Sequence, residues 1–151
     1  MERYTSPPLT VPTAVRDSLY RADLIFSGID HSGASYEARV FFDNADAGLD
    51  TPRDDASGYA GSFTVFGHFN CVGDEGHCDP QWRYTDPFDI RGRHSLAPVT
   101  KVVIVTDAVR RLTAGEVSVT VVVAVPGADG AQTADALFFD RLRITTYDAI
   151  G

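Results

Sequence analysis

The 151-residue chain lacks several features that would assign it to a common class of protein. It has no apolar run near the ~20 residues that cross a bilayer, so we predict no membrane-spanning helix. Its 13 basic residues form no cluster longer than the Arg110 and Arg111 pair, and 21 acidic residues outnumber them. With a formal net charge of −8, the chain is a poor partner for nucleic acid or for an anionic membrane.

Two catalytic motifs and an export signal are also missing. Neither a nucleophile elbow, G-x-S-x-G, nor a phosphate loop, G-x-x-x-x-G-K, occurs in the sequence. The N-terminal MERYTSPPLTVP has no basic region followed by an apolar stretch, so a cytoplasmic location is expected if the chain is complete. Cys71 and Cys78 would then lie in a reducing compartment, where structural disulfides are uncommon.

Period-two alternation of apolar and polar residues dominates the chain. In SYEARVFFD, for example, Tyr36, Ala38, Val40 and Phe42 fall on one face of a strand. We therefore predict an all-β fold, an antiparallel β-sandwich of about seven strands with one short helix. The strands are predicted at residues 21–29, 35–43, 59–69, 99–106 and 116–125, with one or two more within 136–148. The predicted strand at 116–125 is almost continuously apolar, which predicts a central position in a sheet.

The remaining segments are assigned from their turn and capping residues. The helix is predicted over 106–112, with Thr106 capping its first turn and Arg110 and Arg111 at its C-terminal end. The carboxylate-rich stretch 44–58 is interpreted as a solvated loop rather than a calcium site. The predicted domain organisation is an N-terminal extension over 1–20 and a single β-sandwich domain over 21–151, interrupted by a Cys- and His-containing insert at 70–98.

The order of these segments resembles the C-terminal β-sandwich domain of polyphenol oxidases, which are tyrosinase-type (type-3 copper) proteins, and more distantly the haemocyanin C-terminal domain. The likeness spans Asp23 to Tyr147 and is most specific in the AGSF block at Ala60–Phe63, followed by His68, and in VTD at Val105–Asp107. It implies an accessory domain that covers a dicopper oxidase domain, in the same chain or a separate one, and is not catalytic by itself. Such a dicopper site uses six histidines, and this chain has four.

The insert and the strand before it hold the residues best suited to metal binding. His68, Cys71, His77 and Cys78 form H-x2-C-x5-H-C, a set of ligand types that suits copper(I) or zinc. Cys71 and Cys78 could instead form a disulfide across the glycine-containing loop, or remain free thiols. His68 could also be a hydrogen-bonded histidine at a sheet edge, without a ligand role.

Three functional hypotheses follow. The first is the accessory domain, with the aromatic residues Phe69, Trp82, Tyr84 and Phe88 of the insert region as the partner contact. The second is a copper(I) carrier that uses the Cys71–Cys78 loop. The third is a small metal-dependent enzyme, or one with an acid–base pair of His68 with Asp74 or Glu75. His31 and His94 are expected to be exposed and are assigned no role.

Overall fold

The computed structural model describes residues 3–12, 18–68, 88, 96–126 and 136–148. Antiparallel strands dominate it, which confirms the all-β prediction. The elements are β1 (Arg3–Thr5), β2 (Leu9–Thr10), β3 (Leu19–Ile29), β4 (Tyr36–Phe42), β5 (Tyr59–Val65), β6 (Val99–Ile104), α1 (Thr106–Arg111), β7 (Glu116–Val117), β8 (Val119–Ala124) and β9 (Arg141–Asp148). Within these ranges, no helix has the length and apolar character needed to cross a membrane.

Two sheets pack face to face around one main core. The larger has the strand order β1-β8-β4-β5 and the smaller β6-β3-β9, while β2 and β7 form a separate short pair. The side chains of Leu24 and Phe26 point from the smaller sheet into the core, where they belong to the same hydrophobic cluster as Val40 and Val121 of the larger sheet. The rings of Phe26 and Phe63 lie 4.8 Å apart across the sandwich. These contacts make the inner faces of both sheets one continuous hydrophobic core.

Strand β8 occupies the central position that its apolar run predicts. It pairs with β1 on one side and with β4 on the other. Val121 faces the main core, whereas Val122, on the opposite side of the strand, packs in a second cluster with Phe41 and Ala47. Apolar residues are favoured at successive positions because both faces of β8 are covered.

The cover over the outer face of the larger sheet is the loop 44–58, predicted as a polar surface segment. Arg53 fastens it by donating two hydrogen bonds of 2.8 Å to the carboxylate of Glu37 on β4. Arg39 adds a hydrogen bond of 2.8 Å to the carbonyl of Leu49. Burial raises the pKa of Glu37, but the hydrogen bonds from Arg39 and Arg53 outweigh it and hold the pKa below its ordinary value. The loop is therefore a docked part of the sandwich.

Two local predictions need correction. The sequence predicts no strand before Arg21, yet β1 and β2 lie in the segment 1–20 that was assigned to an N-terminal extension. Strands of three and two residues are too short to show alternation, so pairing with β8 and β7 reveals them. Thr106 does not cap the helix, because its Oγ1 accepts a hydrogen bond of 3.0 Å from the N–H of Ala22 on β3. The segment 136–148 contains one strand, Arg141–Asp148, which agrees with the one or two predicted there. The limits 21–151 of the domain stay a prediction.

Gly58, at the end of the docked loop, is a position where alanine should strongly destabilise the fold. Its φ is +78°, and an added Cβ would overlap the carbonyl oxygen of Phe42, whose N–H donates to the Gly58 carbonyl at 2.8 Å. Neither backbone segment can yield without breaking the sheet, so Gly58→Ala is expected to lower the free energy of unfolding by about 2–4 kcal/mol. Urea unfolding measures this change. Gly48→Ala is the control, because nothing lies within 4 Å of its Cβ position; equal losses in both variants would contradict the prediction.

Candidate functional site

The end of the sandwich from which the insert leaves is the candidate functional site. The turn 30–35 joins β3 to β4 there, and residues 66–68 continue beyond β5. The N–H of Gly67 donates to Ser35 Oγ at 2.9 Å, and a Cβ on Gly67 would overlap the backbone of Gly33 and Ala34. This close approach requires glycine, so the chain enters the insert along a fixed path.

The turn itself is closed by Asp30. Its Oδ1 accepts a hydrogen bond of 2.8 Å from the N–H of Ser32, and its own N–H donates to the carbonyl of Phe138 at 3.1 Å. Hydrogen bonds from Ser32, with a smaller contribution from His31, hold the pKa of Asp30 below its ordinary value. Asp30 therefore carries a negative charge at this end of the sandwich at neutral pH.

His31 and His68 face each other at the base of the insert. Their ring centroids are 4.9 Å apart with an interplanar angle of 80°. The N–H of His68 donates to the carbonyl of His31 at 2.9 Å, and His31 Nε2 lies 2.9 Å from the carbonyl oxygen of Ala97. Because Ala97 lies where the insert rejoins the sandwich, His31 is in contact with both ends of the insert. The expectation that His31 is an exposed turn residue without a role is therefore incomplete.

Of the four predicted metal ligands, His68 is the one that the described ranges include. Cys71, His77 and Cys78 lie outside the described residues, as do Asp74 and Glu75, the predicted acid–base partners of His68. Within the described ranges, no three His, Cys, Asp or Glu side chains come together as a group that could hold a metal ion. The metal site, the Cys71–Cys78 disulfide, the copper(I) carrier and the metal-dependent enzyme all stay predictions.

The contact between His31 and His68 was missed because it depends on strand pairing. Strand β4 pairs with β5 in the register Tyr36 opposite Val65. Extending this antiparallel register outward places 66–68 opposite 33–35, so that His68 falls opposite Gly33, two residues from His31. The signal was therefore present once the two strands were recognised as a hairpin, although neither histidine is unusual in its own segment.

Exposed aromatic side chains also lie at the insert. Phe88, one of the four predicted partner-contact residues, is 89% exposed, whereas Phe69, Trp82 and Tyr84 lie outside the described residues. Phe66, which was predicted only as part of a strand, is 79% exposed, and its ring lies 5.7 Å from that of His68. Large exposed aromatic side chains are typical anchors of protein interfaces.

A groove of about 430 Å³ opens elsewhere in the molecule, between β1 and the segment before β9. Tyr4, Leu9, Phe138 and Leu142 contribute to its mostly apolar lining, and Asp140 is the carboxylate within it. The insert does not contribute to its lining among the described residues. The groove therefore does not extend the histidine site.

Tyr36 is buried near the candidate site, and its hydroxyl has no hydrogen-bond partner among the described residues. Burial, with a smaller contribution from the charge of Asp30, raises the pKa of Tyr36 to about 12. The fold therefore favours the neutral phenol, so the stability present below pH 10 should fall as the pH rises from about 10 through 12.

We expect Tyr36→Phe to remove this alkaline loss and, at neutral pH, to be neutral or stabilising by about 1 kcal/mol, since it deletes an unsatisfied polar group. Urea unfolding at pH 8 and pH 11 measures both effects. Tyr20→Phe, at a side chain that is 69% exposed, is the control. A large loss of stability in Tyr36→Phe at pH 8 would show that the hydroxyl does have a partner.

Comparison with known proteins gives matches in structure and none in sequence. No family model matches the chain, and no curated protein matches it. Latent aurone synthase, a polyphenol oxidase, from its natural source matches over 97% of this chain and 25% of its own, at a TM-score of 0.55 and 16% identity. The recombinantly expressed latent enzyme matches over 99% of this chain and 25% of its own, at a TM-score of 0.54 and 15% identity. The same enzyme co-crystallized with hexatungstotellurate(VI) gives a TM-score of 0.56 at 14% identity, over 97% of this chain and 24% of its own.

These matches confirm the predicted resemblance at the level of the fold. The chain spans about a quarter of the length of the polyphenol oxidases that it matches. The shared part is almost the whole of this chain, so its β-sandwich is similar in fold to one portion of those polyphenol oxidases.

Proposed function

We propose that this chain is an accessory domain that covers the dicopper site of a polyphenol-oxidase-type enzyme and does not catalyse a reaction by itself. The observation that carries the proposal is the structural match, which takes in nearly all of this chain and only a quarter of a polyphenol oxidase whose solved forms are described as latent. The oxidase domain lies in the same polypeptide or in a separate one.

The proposed mechanism is steric. The sandwich places bulky side chains of the insert region over the mouth of the copper pocket, and a phenol enters when they leave. Phe66 and Phe88 are suited to this contact because they are large and mostly exposed. Phe66 is also adjacent to a backbone fixed by the hydrogen bond between the His68 N–H and the His31 carbonyl, which would keep its position defined in the covered state.

The native gene product tests the proposal. The native protein that contains this sequence should be purified from its natural source, and its intact mass and copper content should be measured. The proposal expects an oxidase domain with two copper ions, either continuous with this sequence or present at a one-to-one ratio. A free chain with no dicopper oxidase associated with it or encoded beside it would contradict the proposal.

A further inference from the structure

The outer face of the smaller sheet exposes apolar side chains on its edge strand β6, whereas Ile25 on the central strand β3 is only 8% exposed. Alternation along β3 points Leu24 and Phe26 into the core and Ile25 outward, where Ile25 pairs with Val102 on β6 and Arg143 on β9. Val102 and Ile104, which share the outward side of β6, are 47% and 60% exposed. We call this surface, formed by Ile25, Val102, Ile104, Arg141, Arg143 and Tyr147, the β6–β3–β9 face.

The two outer faces of the sandwich differ in how far they are covered by other parts of the described chain. On the larger sheet, the docked loop 44–58 covers Phe41 and Val122, which are fully or almost fully buried. On the β6–β3–β9 face, Val102, Ile104 and Tyr147 remain between 45% and 60% exposed. β-branched residues at outward positions of an exposed sheet are costly to leave in water, so this face is suited to a partner.

The charge of this face is opposite to that of the whole chain. Asp23, its buried carboxylate, is neutralised by Arg21 at 2.7 Å. Arg141 and Arg143 project from β9 and form no ion pair with another residue of the described ranges. In a chain of net charge −8, exposed apolar side chains beside arginines that form no ion pair within the described ranges are complementary to an apolar surface bordered by carboxylates.

The size of the face indicates a partner with further contacts. Three strands about 4.8 Å apart, with about six residues each at about 3.3 Å, give a flat area on the order of 300 Å². A stable interface between free proteins needs about 800 Å² from each partner. A second copy of this chain using this face alone would fall well short of that area and would bring like charges together. A partner that is covalently linked to this chain, or that also contacts it at a second surface, can bind stably with a smaller area at this face.

The exposed Phe66 and Phe88, the contact residues of the proposed function, would supply such additional contact. The insert rejoins the sandwich at residues 96–98, immediately before β6, so this end of the insert and the β6–β3–β9 face are adjacent along the chain. We propose that the β6–β3–β9 face is the surface through which this domain docks onto its oxidase, against an apolar patch bordered by aspartate or glutamate. This inference rests on the proposed function and adds the docking surface and the chemistry of its partner.

The test compares variants of the domain in the assembly with its oxidase. Ile104→Glu and Arg143→Glu alter the face, and Ser62→Glu is the matched control, since it places the same charge at an exposed position on β5 in the other sheet. We expect each face variant to weaken association with the oxidase about tenfold or more, and the control to leave it unchanged. Raising the salt concentration should weaken association of the wild-type domain and affect Arg143→Glu less. Thermal unfolding of each variant confirms that it is folded.

The outcomes separate the inference from the proposed function. Wild-type affinity in both folded face variants, with the oxidase still covered, would overturn the docking surface and leave the proposed function intact. A wild-type domain that neither binds nor restrains the oxidase would overturn the proposed function itself. A wild-type domain that dimerises alone, and becomes monomeric in Ile104→Glu, would assign the face to a second copy and also overturn the inference.

Discussion

If this domain covers an oxidase as proposed, its removal is expected to lower the apparent KM of that oxidase for a diphenol such as catechol by about 10- to 100-fold and to leave kcat nearly unchanged. The reason is that a steric cover and the substrate compete for the same space. If the pocket is open for about 1–10% of the time, the apparent affinity for the diphenol is about 1–10% of the affinity of the uncovered enzyme. In the proposed arrangement the copper ligands belong to the oxidase domain, so the chemical step itself would not depend on the cover.

The measurement requires a specific protease site introduced between the two domains. Steady-state catechol oxidation is compared before and after cleavage, with the uncut protein and a protease-treated protein that lacks the site as controls. Bulkier diphenols should gain more than catechol from cleavage, since they need a wider opening. A change in kcat at constant KM, or no change in either constant, would contradict the steric mechanism.

Phe26→Ala is expected to produce the largest loss of stability of any single core substitution considered for this domain. Phe26 is fully buried at the centre of the sandwich, with ring centroids 4.8 Å from Phe63 and 5.4 Å from Phe139. Removal of such a ring leaves a cavity and should lower the free energy of unfolding by about 3–5 kcal/mol. Because native domains are stable by only about 5–15 kcal/mol, this is a large share of the total.

Urea and thermal unfolding measure the effect of Phe26→Ala. The matched control is Phe138→Ala, whose side chain is 62% exposed and should change stability by about 0.5 kcal/mol or less. Similar losses in the two variants would mean that Phe26 is not at the centre of the core. If the domain covers an oxidase as proposed, Phe26→Ala should also reduce the latency of that oxidase on warming, since the cover would unfold at a lower temperature.

Where the sequence predicts the fold well, the reason is burial on one or both faces of a strand. The alternation of β4 arises because Tyr36, Ala38 and Val40 face the core while Glu37 and Arg39 face the docked loop. The same loop explains the continuous apolar run of β8, which is covered on both sides. The periodicity of apolar residues depends directly on which faces of a strand are buried, so these strands can be predicted from the sequence alone.

The unpredicted features depend on contacts between distant residues. Strand β1 is visible only through its pairing with β8, and Thr106 could serve as a cap by its position but instead bonds to β3. At the candidate site, His31 contacts His68 because the β4–β5 hairpin brings their segments together. No local pattern in the sequence specifies such a long-range partner, so each required the tertiary structure.

The most direct test of the accessory role is titration of the isolated 151-residue chain into the oxidase from which this domain has been removed. Diphenol oxidation is measured at each concentration of added chain. The proposed role predicts saturable inhibition that excess diphenol relieves, with the added chain itself producing no quinone. Inhibition that diphenol does not relieve, no inhibition at any concentration, or quinone formation by the chain alone would contradict it.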